Sequence, residues 1–471
     1  MRTSLRQEMQ EMARWQLLPG RDSFRDLFSR FVAHEFMAPE EQRRFSGSLL
    51  AAIARHAAVH VPYYRQLLAE RGLTAADIRD PSDLRLLPVL KKPELLLSGN
   101  RMLAEQLPPG EQNHGWFSSS GTTGKPVRVM HTKSSNLLFS ILAVRQYRWY
   151  RFDPMARFAS IRLSSQNPAL PDGSLLPNGK TLKQPRWRYG GNFFHTGPHL
   201  HFNVENPVEE QLAWLVEQQP HYLLSYSETL EHLVFACNGV WPVRSLRKLS
   251  AIAEQLTPSM RKRIEETTGV PIEQGYGLNE IGLVAVRCSA GRYHWHVEHC
   301  IVEILDEEGT PCGEGEAGHV VVTALRNYAM PLFRYDTGDI AVACTDACPC
   351  GRTLPAFGEI VGRYSRIAFL PEGTLPKVGT LRSALESVPA ELAANLRQFQ
   401  VHQYRDGRFE LRLVTAGPMS EAFGGFLLEK WQSSFAGDPA PLDIVFVDHI
   451  ERAPGGKFQD FTSEFMPPPD S

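Results

Sequence analysis

The segment Ser118-Ser119-Ser120-Gly121-Thr122-Thr123-Gly124-Lys125-Pro126 gathers hydroxyls and flexible backbone into nine residues. Glycine lets a backbone approach an anion closely and hydroxyls donate to its oxygens, so such a loop can wrap a polyphosphate. It is not a Walker A sequence, which needs four residues between its glycines and Ser or Thr after the lysine. Here two residues intervene and Pro126 follows. The alternation of Val127 and Val129 predicts a strand after the loop rather than a phosphate-capping helix. Taken alone, the segment is equally a flexible hairpin. A second grouping is Cys288, His294, Cys348 and Cys350. Three thiolates and one imidazole suit tetrahedral zinc with no open ligand position, hence a structural site, at about one ion per chain. His296 competes with His294, and simple burial of free cysteines is the plainer alternative. Such a site would tie the loop after Arg352 to the strands between residues 284 and 305.

These groups need a framework to hold them. With 471 residues, 42% of them hydrophobic and 22% charged, the chain can build two or three domains around a large core. A net charge of -2 argues against a nucleic-acid or acidic-membrane partner. The N-terminus is too charged for a secretory signal, and no apolar run is long enough to span a bilayer. Seven cysteines are too few and too irregular for a disulfide framework, which predicts a cytoplasmic location. Residues 1–110 read as mostly helical, with helical spacing over 45–60. Strand patterns at 156–163 and 319–324 alternate with helical ones at 207–219 and 258–268, which predicts an α/β core. The stretch 165–191, carrying Lys180, Lys183, Arg186 and Arg188, reads as a long surface loop. Beyond Gly362, strands at 399–404, 409–414 and 442–447 with helices at 381–387 and 421–435 predict a second, α+β unit.

Further motifs follow in order: Tyr276-Gly277-Leu278-Asn279-Glu280, Arg334-Tyr335-Asp336-Thr337-Gly338-Asp339, Gly362-Arg363 and Pro454-Gly455-Gly456-Lys457. Together with the Ser/Thr/Gly loop, the set resembles the adenylate-forming superfamily of acyl-CoA synthetases, peptide-synthetase adenylation domains and luciferases. The resemblance covers nearly the whole chain beyond residue 110. Segments 220–227, 253–258 and 348–352 resemble the phenylacetate-CoA ligase and coenzyme F390 synthetase-like branch, which shares the Cys, His, Cys-x-Cys arrangement. The resemblance implies a large N-terminal domain (1–362) of β-sheets covered by helices and a small mobile α+β domain (363–471). It implies that ATP, with Mg2+, activates a small aromatic carboxylic acid to an acyl-adenylate with release of pyrophosphate. Coenzyme A then takes the acyl group. Transfer to a carrier-protein phosphopantetheine thiol or to an amine stays open, as does a non-catalytic nucleotide-binding relative. An acidic carrier protein would dock on Lys180, Lys183, Arg186 and Arg188.

Carried over residue by residue, the resemblance puts Ser118, Ser119, Ser120, Gly121, Thr122, Thr123, Gly124 and Lys125 on the phosphates. Glu254, Gly275, Tyr276 and Gly277 would surround the nucleotide, and Glu280 would hold magnesium. Asp339 would accept from both ribose hydroxyls, and Arg363 would contact the nucleotide at the hinge. Lys457 would bridge phosphate and carboxylate oxygens, and Tyr226, Ser227 and Tyr276 would line the acid pocket. The residues alone allow plainer readings. Glu280 would then open a helix capped by Asn279, Asp339 would serve a turn, Tyr276 would pack in the core, and Lys457 would be solvated. Relatives carry an aspartate two residues after the hinge arginine. Here Ser365 stands there, followed by Arg366, so thioester formation is less specified than adenylation.

Overall fold

Five helices open the chain: α1 (Leu5–Met12), α2 (Asp22–His34), α3 (Pro39–His60), α4 (Pro62–Glu70) and α5 (Lys92–Ser98). Pro39 and Pro62 each stand at a first helical position, where the missing N–H costs nothing. The computed structural model describes residues 3–118, 127–237, 239–253, 256–363, 388, 392, 395–415, 417–433, 438–450 and 461–464. After α5, β1 (Asn113–Ser118) and β2 (Arg128–Thr132) pair antiparallel, with Ser118 opposite Arg128. The strand expected from Val127 and Val129 is therefore present, and the hairpin brackets the Ser/Thr/Gly loop. Helix α6 (Lys133–Trp149) follows at once, capped by the Thr132 hydroxyl, which accepts from Ser135 N at 3.2 Å.

Twelve strands form the main sheet. They are β3 (Phe158–Arg162), β4 (Leu182–Gln184), β5 (His199–Asn203), β6 (Tyr222–Tyr226), β7 (Lys248–Ile252), β8 (Ile272–Leu278), β9 (Gly282–Arg287), β10 (Tyr293–Trp295), β11 (Cys300–Leu305), β12 (Ala317–Ala324), β13 (Tyr335–Ala343) and β14 (Ala356–Arg363). Their order across the sheet is β11-β12-β13-β14-β10-β9-β8-β7-β6-β3-β5-β4. Strands β5, β3, β6, β7 and β8 pair parallel, joined by α7 (Val208–Gln218), α8 (Ser227–Ala236) and α9 (Pro258–Thr268). Successive side chains of a strand face opposite sides. Phe158 and Tyr222 accordingly join a cluster with α2 and α6, while their neighbours Ala159 and Leu223 join one with α7, α8 and α9. Both faces of the parallel strands are buried, as their apolar runs require. The antiparallel strands β11, β12 and β13 pack instead on α3 and α4, through Leu50, Ile53, Tyr64, Val302 and Val322.

The fold is thus mixed α/β, with one correction. The 165–191 stretch is not wholly a surface loop. Its residues 182–184 form the edge strand β4 on β5, and Leu176 and Trp187 are buried. Two apolar anchors fifteen or fewer residues apart are hard to see against that much Pro, Gly and Asn.

Near the C-terminus a separate four-stranded sheet has the order β17-β16-β15-β18, from β15 (Leu396–Gln403), β16 (Phe409–Thr415), β17 (Leu442–Phe446) and β18 (Phe461–Ser463). Helix α10 (Glu421–Ser433) covers it with Phe423, Leu427 and Trp431 against Phe409, Leu411 and Leu413. The helix expected at 381–387 lies outside the described residues. No helix among the described residues is long and apolar enough to cross a membrane.

Candidate functional site

A cleft of about 530 Å³ opens beside β8, lined by Gly275, Tyr276, Gly277, Arg292, Asp339 and Gly362 among others. Tyr276 and Asp339 meet across it: the tyrosine hydroxyl donates to Asp339 Oδ2 at 2.7 Å. Both side chains are buried. The Tyr276 ring packs edge-on to Phe357, so it serves core and cleft at once. Gly275 and Gly277 line the cleft too, but close packing already demands glycine there. A Cβ on Gly277 would stand 2.8 Å from the Gly282 carbonyl oxygen, and one on Gly275 3.0 Å from Leu283 Cδ1.

The β8–β9 turn brings the next motif to the Ser/Thr/Gly loop. Asn279 Nδ2 donates to the Ser118 carbonyl oxygen at 2.7 Å, across 161 residues of sequence. His131 Nε2 donates to Asn279 O at 3.1 Å, and burial pushes that imidazole down to about 4, so it is neutral near pH 7. Glu280 follows in the turn, buried, with Oε1 accepting from the Tyr335 hydroxyl at 3.3 Å. No helix starts here, so the helix-capping reading of Asn279 and Glu280 is wrong: the chain turns straight into β9. Ser119, Ser120, Gly121, Thr122, Thr123, Gly124, Lys125, Glu254, Ser365 and Lys457 lie outside the described residues, as does the Arg363 side chain. The Arg363 backbone ends β14 opposite Asp339.

Tyr226 and Ser227 do not join the cleft wall. Tyr226 is 2% exposed, and its hydroxyl donates to Gln166 Oε1 at 2.9 Å and accepts from Leu163 N at 3.2 Å. It closes the C-terminal end of β6 rather than presenting a free group. Another aromatic pair near the Glu280 turn escaped the sequence reading. The half-buried rings of Phe139 and Tyr189 meet at 5.1 Å, and Phe139 borders Gly282, two residues after Glu280. No motif marks them, because they lie in α6 and in the 165–191 stretch. Tyr335 was missed as a functional group despite standing inside a recognised motif.

At the far side of the same cleft the turn after β9 carries Cys288. Its thiol joins His294, Cys348 and Cys350 in a buried group whose ligand atoms all lie within 4.8 Å of one another. Cys288 Sγ lies 3.6 Å from Cys348 Sγ, and Cys350 Sγ 3.3 Å from His294 Nε2. Zinc–sulfur bonds of about 2.3 Å in a tetrahedron put sulfurs about 3.8 Å apart, so the spacing fits that ion. His294 Nδ1 donates to Leu354 O at 2.6 Å, which fixes the tautomer with Nε2 toward the thiols. The rival His296 is excluded, since its Nδ1 faces Arg145 at 2.9 Å.

Beside this cluster lies a layer of buried charge that no sequence motif announces. Arg352, two residues after the last cysteine, donates to Glu8 at 2.8 Å and Glu35 at 3.2 Å. Arg148 pairs with the same two glutamates, and Arg145 reaches Glu298 at 2.7 Å and Glu35 at 3.3 Å. Burial pushes Glu35 up, and Arg352 and Arg145 pull against it. Burial also pushes Glu298 upward, but Arg145 and His34 outweigh it and hold that carboxyl well below its ordinary value. In the 165–191 stretch, Arg186 donates to Gly191 O at 3.3 Å and Arg188 to Gln166 O, so two of the four basic residues are spent on their own backbone.

Comparison with known proteins agrees with this geometry. No family model matches the chain. It is 29% identical over 413 residues to phenylacetate-coenzyme A ligase of Thermus thermophilus, covering 83% of this chain and 85% of that one. The enzyme of the same name from Escherichia coli is 28% identical over 335 residues, covering 67% and 68%. Among solved structures, 2-hydroxyisobutyryl-CoA ligase bound to 2-HIB-AMP in the postadenylation state superposes with a TM-score of 0.72 at 17% identity, over 92% of this chain and 91% of that one. The anthranilate CoA ligase AuaEII with anthranoyl-AMP gives 0.54 at 16%, over 86% and 78%. The ordered motifs, the cleft and these comparisons point one way: over most of its length the chain is similar to phenylacetate-coenzyme A ligases, and it shares the fold of CoA ligases solved with an acyl-adenylate.

Proposed function

We propose that the protein is an AMP-forming ligase that activates a small aromatic carboxylic acid and transfers it to coenzyme A. A carboxylate oxygen attacks the α-phosphorus of ATP, the bond to the β-phosphate oxygen breaks, and pyrophosphate leaves. The thiol then attacks the acyl carbonyl, AMP departs, and the thiol proton passes to solvent. One observation carries the reading: the Asn279–Ser118 bond joins the end of the Ser/Thr/Gly loop to the turn bearing Glu280, at one end of the cleft wall that ends in Tyr276 and Asp339.

In this reading residues 118–125 wrap the β- and γ-phosphates. Glu280 would hold Mg2+, which supplies charge neutralisation at the phosphates. Tyr335 orients that carboxylate. Asp339 accepts from the ribose, with Gly275, Tyr276, Gly277 and Glu254 around the base, and Arg363 reaches the nucleotide from the hinge. Lys457 bridges phosphate and carboxylate oxygens as charge develops between them. Tyr226, Ser227 and Tyr276 would line the acid pocket, and the aromatic pair Phe139 and Tyr189, beside the Glu280 turn, supports an aromatic acid. We infer domains at 1–362 and 363–471, the second a mobile lid, and a structural zinc on Cys288, His294, Cys348 and Cys350. Coenzyme A is preferred over a carrier protein because Arg186 and Arg188 are engaged with carbonyls. The test is acid-dependent exchange of pyrophosphate into ATP across a panel of carboxylic acids, followed by mass spectrometry of the product with coenzyme A. Exchange strongest with arylacetic or benzoic acids is expected; no exchange with any acid would end the proposal.

A further inference from the structure

Strands β8 and β13 stand four places apart in the sheet. At about 4.8 Å per strand a flat sheet would separate them by about 19 Å. A tyrosine and an aspartate side chain together reach far less than that, yet the Tyr276 hydroxyl and Asp339 Oδ2 are 2.7 Å apart. The intervening strands therefore curl around the cleft, and this bond joins the two walls.

The hydroxyl has one proton, and two of the acceptors near it are Asp339 Oδ2 and, at 3.2 Å, Thr337 Oγ1. Thr337 gives its own proton to Val320 O at 2.9 Å and accepts the Asp339 backbone N–H at 3.1 Å. The shorter contact is to the charged group, where a hydrogen bond is roughly twice as strong as between neutral groups. The phenol oxygen is itself held still, because the ring abuts Phe357, which stacks on Tyr293 at 5.4 Å. A neutral hydroxyl can fix the rotation of a carboxylate without cancelling its charge.

We propose that Tyr276 is a positioning residue for the nucleotide's ribose, acting through Asp339; this rests on the cleft being the ATP site. The phenol sets the plane of the Asp339 carboxylate, and that plane decides how well the ribose hydroxyls are met. Selectivity for the ribose thus depends on a side chain that need not touch it.

The experiment compares ATP, 2′-deoxy-ATP and 3′-deoxy-ATP in pyrophosphate exchange with wild type, Tyr276→Phe, Asp339→Asn and the double variant. Wild type is expected to favour ATP over at least one analogue by about tenfold, the size of a hydrogen bond to a charged group. Tyr276→Phe should lose most of that preference, chiefly through KM, and should add little on top of Asp339→Asn. Retention of the full preference by Tyr276→Phe, or an equal loss with all three nucleotides, overturns the inference. If Tyr276→Phe fails to fold, Phe357→Leu, which removes the ring that holds the phenol in place, should weaken the same preference about two- to threefold; an unchanged preference there is equally fatal. A wild type inactive with every acid refutes the ATP reading itself. A wild type active but indifferent to both hydroxyls refutes only the role of Tyr276.

Discussion

The cysteine corner and the cleft beside β8 share the turn between β9 and β10, with Cys288 on one side and Arg292 on the other. Their carboxylates are treated in opposite ways. In the corner, Glu8, Glu35 and Glu298 are buried against the guanidinium groups of Arg145, Arg148 and Arg352. In the cleft, the bonds to Asp339 and Glu280 described above come from tyrosine hydroxyls. A guanidinium neutralises an acid and fixes the fold. A phenol orients an acid without cancelling its charge. The difference separates acids neutralised by buried guanidiniums from acids held by neutral hydroxyls.

The sharpest way to break the comparison is to remove a cluster ligand. Cys350→Ser is expected to lower bound zinc from about one per chain to none and to cost several kcal/mol of stability, since metal binding here is folding energy. Elemental analysis and urea unfolding check both; a metal-free wild type that is fully folded and active would contradict the assignment. Next, Glu35→Gln leaves buried guanidiniums without their counter-charge and should destabilise by about 3–5 kcal/mol, read from the same unfolding curves. For the residues proposed to act on the nucleotide, the corresponding losses should fall on chemistry instead. Lys457→Ala should slow adenylation roughly 10²–10³-fold while calorimetry still detects ATP binding. Glu280→Gln should raise the magnesium concentration needed for exchange by about tenfold with little change in melting temperature. A large melting shift would move Glu280 into the class of the corner glutamates.

The smallest effect is with pH. Burial pushes His131 and His299 down to about 4 from an ordinary 6.5. Below pH 6.5 the unfolded chain binds protons that the folded one refuses, so stability falls as pH drops from 6.5 toward 4 and is full above 6.5. Melting temperatures across that window should decline by a few degrees before general acid unfolding begins, and a flat profile would mean these imidazoles are solvated.

Part of the cleft wall was legible because its residues fall in short stretches: Tyr276 to Glu280 and Arg334 to Asp339 each lie on or beside one strand. The grouping of Cys288, His294, Cys348 and Cys350 was legible because few other roles ask for Cys and His in that arrangement. The buried charge layer was not. Arg145 and Arg148 sit near the C-terminal end of α6, where basic residues are ordinary, and Glu8 lies in a polar segment, so each looks like a solvated residue until its partner is brought from elsewhere. The curl of the sheet was equally hidden, because a strand pattern gives the two faces of a strand but not its neighbours. The engagement of Tyr226 was hidden for a related reason: its place at the end of a parallel strand suggests a ligand, and the sequence does not show that Gln166 and Leu163 meet its hydroxyl.

The bond from Arg352 to Glu8 spans 344 residues, and Thr3 N donates to Cys350 O at 2.7 Å beside it. During synthesis at about 5–20 residues per second, the first helix therefore leaves the ribosome roughly 17–70 s before its partner arrives. Glu8 meets Arg148 and Arg151 much earlier, Arg151 lying 143 residues away, so α1, marginal at eight residues on its own, docks first beside α6. The Arg352 pair closes the charge layer last. A fragment stopping short of residue 352 would keep the first docking and lack the guanidinium that ties Glu8 to Glu35 from the other side.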